Sequence, residues 1–268
     1  MNNNENYSQL DKTIPYYHLI GSEDIVFKES HKAKLPIILK GPTGCGKSRF
    51  VDKMAYDLDL PLITVACNED TSATDLLGRF LIKGNETIWQ DGPMTRAVRT
   101  GAIFYLDEVV EAREDVIVLI HSLTDYRRML YIDALAEAVH APASFQLVMS
   151  YNPGYQKSFK ELKPSTRQRF ISLSFHYPKP EVETQIVMKE AGIDEKISKK
   201  LVSLANKIRT LSELGLAESV STRLIVNAGL LIKQGISPRL AAEVAIAQAL
   251  TDEADSTRAL IDLAALYL

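Results

Sequence analysis

Short apolar runs alternate with segments of helical spacing along the first two thirds of the chain. Four of these runs have the length of buried strands, at 35–40, 61–66, 101–108 and 144–153. Apolar residues at helical spacing mark helices at 22–33, 49–56 and 114–124. Such alternation of strand and helix predicts an α/β fold around a parallel sheet.

The pattern changes close to residue 178. Pro178 and Pro180 break regular structure, and the spacing beyond them is helical throughout. Five helices are predicted there, at 181–191, 195–211, 221–234, 238–250 and 256–267. We therefore expect an α/β domain at 1–178, with a mobile arm at about 1–13, and a small all-helical domain at 179–268.

Two segments interrupt the α/β pattern. Residues 78–93 form two alternating arms around Gly84-Asn85, which predicts a hairpin between the helical segments 72–77 and 94–100. Residues 125–142 predict a second projecting hairpin. Its Arg127 and Arg128 belong either to a solvated face or to a partner contact.

The first predicted strand runs into a glycine-rich turn. Its residues are Gly41, Pro42, Thr43, Gly44, Cys45, Gly46, Lys47 and Ser48. They fit the phosphate-loop pattern G-x-x-x-x-G-K-[ST], in which backbone N–H groups and the following helix N-terminus face a polyphosphate. Lys47 would reach the terminal phosphates and Ser48 would hold Mg²⁺. An ordinary strand–turn–helix corner is the alternative interpretation.

Two carboxylates, Asp107 and Glu108, follow the third apolar run. The carboxyl ends of strands line the ligand crevice of an open α/β sheet. Asp107 could therefore orient Mg²⁺, and Glu108 could polarise the water that attacks the terminal phosphate. The alternative is a capped helix start, where acidic side chains are also favoured.

Further polar residues point to the same edge or to a cleft beside it. Asn152 ends the fourth apolar run, where its amide could hydrogen-bond water and a phosphate oxygen. Arg167 and Arg169 are candidate clamps on a transferring phosphate, from the same chain or a neighbour. Arg223 stands near a predicted helix start, which is unfavourable for a cation and indicates another duty, such as meeting a phosphate.

Composition excludes several classes of protein. The net charge is -3, from 31 basic and 34 acidic residues, so nucleic acid is not expected as the main substrate. Cys45 and Cys67 form neither a disulfide framework nor a metal site and are expected to be reduced, as in a cytoplasmic protein. No signal peptide is visible, and no apolar run approaches the ~18 residues of a membrane span.

In the order of these motifs, the chain beyond the arm resembles the AAA+ ATPases. The two inserted hairpins are similar to those of the MoxR group. Longer phrases resemble the CbbQ/NirQ/NorQ branch, at 39–47, 65–70, 89–93, 105–113 and 150–156. The resemblance implies a sheet of order 5-1-4-3-2, a helical lid domain and a ring, most often a hexamer, with ATP and Mg²⁺ at subunit junctions.

The resemblance also implies a role for each motif residue. Lys47 and Ser48 match the Walker A pair, and the loop from Gly41 to Arg49 would bind nucleotide. Asp107 and Glu108 match the Walker B pair, so Mg²⁺ would be held by Ser48 and Asp107, and catalysis would involve Glu108. Asn152 matches sensor 1 and Arg223 matches sensor 2. Arg169 best matches the arginine finger given to the neighbour, with Arg167 as the second candidate.

Members of this branch work with a partner that carries a von Willebrand factor A domain. CbbQ-type members, with their CbbO partner, remodel inhibited Rubisco and release sugar phosphates, whereas NorQ/NirQ-type members mature nitric oxide reductase. Rubisco is our preferred client and nitric oxide reductase the alternative. A phosphotransferase of the P-loop kinase type is less favoured, because the carboxylate pair, the insertions and the helical domain argue against it. A nucleotide-dependent scaffold that only binds ATP is less favoured, because the set of hydrolytic residues is complete.

Overall fold

The computed structural model describes residues 15–153, 162–211 and 219–268. The arm expected at 1–13 and the last three residues of the phrase at 150–156 lie outside these ranges. The strands are β1 (Ile37–Lys40), β2 (Leu62–Ala66), β3 (Gly78–Lys83), β4 (Glu86–Asp91), β5 (Ile103–Asp107), β6 (Met129–Ile132), β7 (Glu137–His140), β8 (Gln146–Tyr151) and β9 (Ile171–Ser174).

Helices flank the strands and make up most of the described C-terminal part. They are α1 (Glu23–Lys32), α2 (Lys47–Leu58), α3 (Ala73–Leu77), α4 (Pro93–Thr100), α5 (Glu114–His121), α6 (Pro164–Arg167), α7 (Pro180–Ala191), α8 (Glu195–Thr210), α9 (Thr222–Lys233), α10 (Pro238–Ala242), α11 (Gln248–Leu250) and α12 (Ala254–Tyr267). Among the described residues, none of these helices is both long and apolar enough to cross a membrane.

Five parallel strands form the central sheet, in the order β2-β5-β8-β1-β9. Numbered along the chain as core strands 1 to 5, and read from the β9 edge, this order is 5-1-4-3-2. The expected sheet is therefore confirmed. Parallel strands place their carboxyl ends at one edge, so β1, β5 and β8 deliver the predicted site residues to the same side of the molecule.

Alternation along the strands builds two cores, one on each face of the sheet. On β5, Ile103 and Tyr105 pack with α1 and α2, whereas Phe104 and Leu106 pack with α4 and α5. Both sets are buried, because a parallel sheet is covered on both faces. The period-2 direction of side chains therefore decides which residues of a strand can meet at its end.

The C-terminal helices have a core of their own. Leu201, Leu204, Ala205 and Ile208 of α8 are buried in it, and Ile197 packs against it, as the apolar spacing of this helix predicts. The helix predicted at 238–250 is confirmed, and at its centre a π turn spans Glu243–Ala247. Ile246 and Ala247 of this turn are buried like the apolar residues of an α-helix, so the apolar pattern of the sequence did not distinguish the π turn from an α-helix.

Two antiparallel hairpins stand outside the central sheet. The β3–β4 hairpin separates α3 from α4, and its arms pair from Gly78 with Asp91 to Lys83 with Glu86. Phe80 packs edge-on against Trp89, and Ile82 beside the tip is 84% exposed. The Gly92 N–H donates to the Leu77 carbonyl (2.8 Å), so α4 resumes directly beside the end of α3.

The β6–β7 hairpin is fastened at its root by an arginine. Arg128 donates to the carbonyls of Lys34 (3.0 Å), Pro142 (3.3 Å) and Phe145 (2.8 Å). Burial lowers the pKa of its guanidinium. Arg128 therefore does not belong to a solvated face, which corrects that alternative, whereas exposed Arg127 pairs locally with Asp125.

Candidate active site

The glycine-rich loop joins β1 to α2 and needs its glycines. Gly44 and Gly46 have φ of +67° and +101°, in the left-handed region that favours glycine. A β-carbon at position 41 would lie 2.5 Å from the Phe175 carbonyl oxygen, so a side chain there would clash. Helix α2 begins at Lys47, and its first N–H groups and positive dipole end are therefore next to the loop.

Lys47 is nearly buried inside this loop. Its Nζ donates to the carbonyls of Gly41 (2.8 Å) and Pro42 (2.9 Å). The ammonium is thus held at the loop by its own backbone, in a position from which it could exchange carbonyl oxygens for phosphate oxygens. The glycine cradle, the helix N-terminus and this cation together fit a polyphosphate ligand.

Ser48 and Asp107 bring two oxygen atoms together from different elements. Ser48 Oγ donates to Asp107 Oδ2 at 3.1 Å, which joins the start of α2 to the end of β5. Hydroxyl and carboxylate oxygens are the ligand types that Mg²⁺ prefers, usually as one or two protein groups plus waters and substrate phosphates. The pair therefore fits a magnesium site.

A second layer of hydroxyl groups lies behind Asp107. Tyr105 OH donates to Asp107 Oδ1 (2.8 Å) and lies 3.1 Å from Ser150 Oγ, which also donates to Oδ1. Tyr105 and Ser150 are both buried, on β5 and β8. Burial and the Asp107 charge raise the pKa of Tyr105, so its hydroxyl remains a donor.

Glu108 has a backbone conformation that is uncommon for a residue with a side chain. Its φ is +54°, in the left-handed region, and its N–H donates to Ser150 Oγ at 3.2 Å. It precedes a 3₁₀ turn, Val109–Glu111, without a side-chain capping bond. The helix-capping interpretation of this carboxylate is therefore wrong.

Asn152 and Arg223 also lie beside the loop. Asn152 Nδ2 donates to Thr43 Oγ1 at 3.4 Å, so the end of β8 contacts the loop. A β-carbon at Gly44 would lie 2.6 Å from Ser221 Cβ and 3.3 Å from Arg223 Cβ. The first turn of α9, which carries Arg223, is therefore packed directly against the loop.

Three predicted residues remain, and they are Arg49, Arg167 and Arg169. Arg167 and Arg169 are exposed, at the end of α6 and just beyond it. Thr166, next to them, is buried and lies 2.9 Å from His121 Nε2 of α5. Arg49 pairs with Glu190 of α7 at 3.3 Å, so it links α2 to the C-terminal helices.

Both cysteines are buried and carry raised thiol pKa values. Burial raises the pKa of Cys45, which contributes backbone to the loop. Burial, followed by the charges of Asp107 and Glu108, raises the pKa of Cys67 to about 12. Both are therefore protonated thiols at neutral pH, and no cluster of three or more histidine, cysteine or acidic residues suited to a metal occurs in the described ranges.

Three contacts of the site were missed from the sequence. Tyr105 and Ser150 stand two residues before Asp107 and Asn152 on their strands, so strand alternation could have placed them on the same faces. Tyr177, whose hydroxyl donates to the Thr43 carbonyl at 3.1 Å, carried no comparable signal. It lies 134 positions from its partner, and only the fold brings the two together.

Comparison with known proteins identifies the class to which the chain belongs. Residues 36–170 match the AAA domain (dynein-related subfamily), and residues 183–267 match the CbbQ/NirQ/NorQ C-terminal family. RuvB from Thermotoga maritima has the same fold, with a TM-score of 0.54 at 16% identity over 91% of this chain and 71% of that one. Fold and family match thus define an ATPase of the AAA+ class, which binds nucleotide.

Closer relatives identify the branch of this class. Protein CbbQ of Hydrogenophilus thermoluteolus is 55% identical over 94% of this chain and 94% of its own. Protein NorQ of Paracoccus denitrificans is also 55% identical, over 94% of this chain and 93% of its own. The chain belongs to the CbbQ/NirQ/NorQ family, as its motifs predicted.

Proposed function

We propose that this chain hydrolyses ATP with Mg²⁺ at the loop between β1 and α2. The observation that carries the proposal is the contact of Ser48 with Asp107 (3.1 Å) beside a glycine cradle that already holds Lys47. Ser48 and Asp107 would hold Mg²⁺, whose charge would offset that of the phosphates. Glu108 orients and polarises the attacking water, and Asn152 holds that water or a phosphate oxygen.

Two arginine functions complete the proposed site. Arg223 contacts nucleotide from the helical side, because its helix starts against Gly44. Arg169, or Arg167 as the second candidate, reaches the nucleotide of a neighbouring subunit. Their exposure supports this role, since an arginine given to a neighbour must stand on the surface. A finger of this kind contributes ~10³-fold or more to turnover.

We further propose that the ATPase works as a hexameric ring on a client protein complex, together with an adaptor that has a von Willebrand factor A domain. Family membership supports this assembly. Release of sugar phosphates from Rubisco is the client function to test first. Maturation of nitric oxide reductase is the second candidate, because the NorQ relative is as similar as the CbbQ relative.

The test is the ATPase rate as a function of protein concentration, alone, with the adaptor, and finally with inhibited Rubisco. We expect the rate to rise steeply where rings assemble and to rise again with adaptor and client. Glu108→Gln should bind ATP but lose turnover by about 10²–10⁴-fold. Glu114→Gln, an exposed carboxylate of α5, is the matched control and should leave the rate unchanged.

The possible results separate the proposals. A rate independent of concentration would disprove the ring. Stimulation by adaptor without reactivation of Rubisco would transfer the preference to nitric oxide reductase. Phosphate transfer to a small acceptor, independent of assembly, would revive the kinase alternative.

A further inference from the structure

The hydroxyl of Ser150, on the neighbouring strand β8, hydrogen-bonds both candidate Walker B residues, Asp107 and Glu108. Its side chain is fully buried on β8. Ser150 Oγ donates to Asp107 Oδ1, and it accepts from the Glu108 N–H (3.2 Å) and faces Tyr105 OH (3.1 Å). A hydroxyl offers one donor and two acceptor sites, so Ser150 uses its donor on Asp107 and one acceptor on Glu108, while the single Tyr105 proton goes to Asp107 Oδ1.

These partners determine where the Ser150 proton lies. A backbone N–H can only donate, so Ser150 must accept from Glu108. The single Ser150 proton is then directed at the Asp107 carboxylate. The Ser150 hydroxyl therefore bonds both residues: it donates to the side chain of Asp107 and accepts from the backbone N–H of Glu108.

The effect on Asp107 is to fix the plane of its carboxylate. Oδ1 receives the hydroxyls of Tyr105 and Ser150, and Oδ2 faces Ser48 at 3.1 Å. With one oxygen held from behind, the other is directed at the proposed Mg²⁺ side of the site. Hydrogen bonds of this type orient metal ligands in proteins and contribute to their affinity.

The effect on Glu108 is to hold a strained backbone. A non-glycine residue in the left-handed region is strained and persists only where neighbours hold it. The bond to Ser150 on the N–H side and the Glu111 N–H on the Glu108 carbonyl (2.9 Å) bracket this residue. The direction of the Glu108 side chain thus depends on the hydroxyl of Ser150.

We propose that Ser150 is the positioning residue of the catalytic pair, orienting Asp107 toward the metal and Glu108 toward the attacking water. The inference rests on the proposed roles of Asp107 and Glu108. It predicts a coupled defect, in metal affinity through Asp107 and in turnover through Glu108. Tyr105 shares the Asp107 part, because its hydroxyl donates to Asp107 Oδ1.

The test uses Ser150→Ala and Tyr105→Phe in the full chain, with two readouts. The first is Mn²⁺ affinity in the presence of a non-hydrolysable ATP analogue, measured by electron paramagnetic resonance. The second is kcat at saturating ATP and Mg²⁺. Ser150→Ala should lower both by about 10–100-fold, whereas Tyr105→Phe should weaken mainly Mn²⁺ binding. Binding of the analogue without metal should stay within about twofold of wild type, because the loop is untouched.

Ser198→Ala is the matched control. Ser198 is equally buried, on α8, and its hydroxyl donates to a backbone carbonyl, that of Asp194 at 2.9 Å. It should lower thermal stability as Ser150→Ala does, with wild-type Mn²⁺ affinity and kcat. If Ser150→Ala fails to fold, Ser150→Cys keeps the volume with a weaker donor and should give an intermediate defect in both readouts.

The outcomes distinguish this inference from the proposed site. Wild-type Mn²⁺ affinity and kcat in Ser150→Ala, with Asp107→Asn and Glu108→Gln inactive, would overturn the role of Ser150 alone. Full activity in Asp107→Asn and Glu108→Gln would overturn the site itself. A loss in Ser150→Ala confined to thermal stability would show a structural hydroxyl like that of Ser198 and overturn the inference.

Discussion

Two carboxylates, half-buried Asp107 and buried Glu183, have different kinds of partner. Glu183 of α7 is fully buried and receives both terminal nitrogens of Arg209 (2.7 and 2.8 Å) and the hydroxyl of Thr222 (2.6 Å). Within the described ranges, the side-chain partners of Asp107 are the hydroxyls of Ser48, Tyr105 and Ser150. The charge of Glu183 is neutralised by a guanidinium, whereas Asp107 is oriented by hydroxyl groups that carry no charge.

This difference in partners fits a structural role for Glu183 and the metal-binding role proposed for Asp107. A guanidinium supplies the opposite charge that a buried carboxylate needs, so Glu183 and Arg209 form a closed structural pair. Hydroxyls direct a carboxylate but leave its charge, which suits Asp107 to a divalent cation. Both serve the same loop, because Arg209 stacks under Tyr177 (4.1 Å), whose hydroxyl donates to Thr43.

The largest expected effect comes from removing one partner of the buried ion pair between Glu183 and Arg209. Glu183→Ala would leave Arg209 buried without a counter-charge, and we expect a loss of about 3–5 kcal/mol in the free energy of unfolding. Urea denaturation followed by circular dichroism measures it. The double variant Glu183→Leu/Arg209→Met removes both charges and should be much closer to wild type. A single variant within 1 kcal/mol of wild type would contradict the structural reading of the pair.

Asp107→Asn should leave the stability of the ligand-free protein nearly unchanged but remove most of the stabilisation by Mg²⁺ with nucleotide. We expect the free energy of unfolding without ligand to change by less than about 1 kcal/mol, because the hydroxyls can still bond the amide. Stabilisation by Mg²⁺ with nucleotide, about 2.7 kcal/mol in wild type at a ligand concentration of 100 Kd, should largely disappear. Thermal shift assays with and without Mg²⁺ measure this difference. Exposed Asp133→Asn is the control, and equal Mg²⁺ stabilisation in both variants would remove Asp107 from the metal site.

The smallest expected effect is on the thiol pKa of Cys67, which the charge of Asp107 helps to raise. Its pKa is raised to about 12, so the thiolate fraction, and with it the rate of alkylation by iodoacetamide, should rise up to pH 10 without a plateau. Asp107→Asn removes one negative charge, lowers this pKa and should speed alkylation a few-fold at a given pH. A Cys45→Ala background leaves Cys67 as the single thiol. A plateau near pH 9 in that background would contradict the raised pKa.

The sequence predicted the parts of the molecule that depend on local pattern. Apolar runs marked β1, β2, β5 and β8, and the motif after β1 marked the loop, because glycine, lysine and serine are needed there at fixed spacing. Family resemblance supplied the strand order, which spacing alone does not contain. The roles of Glu108, Asn152, Arg169 and Arg223 remain predictions.

Contacts between distant positions could not be predicted. Glu183 and Arg209 are 26 residues apart on two helices, and both are residue types that usually stand on the surface. Their burial depends on how α7 and α8 pack. The contacts of Arg128 could not be predicted for the same reason, because the carbonyls of Lys34, Pro142 and Phe145 come together around it only in the fold.

The fastening of Arg128 also has a mechanical consequence. It ties the root of the β6–β7 hairpin to the carbonyl of Lys34, three residues before β1 begins. A load applied to the hairpin is therefore transmitted to the start of the strand whose other end carries the phosphate loop.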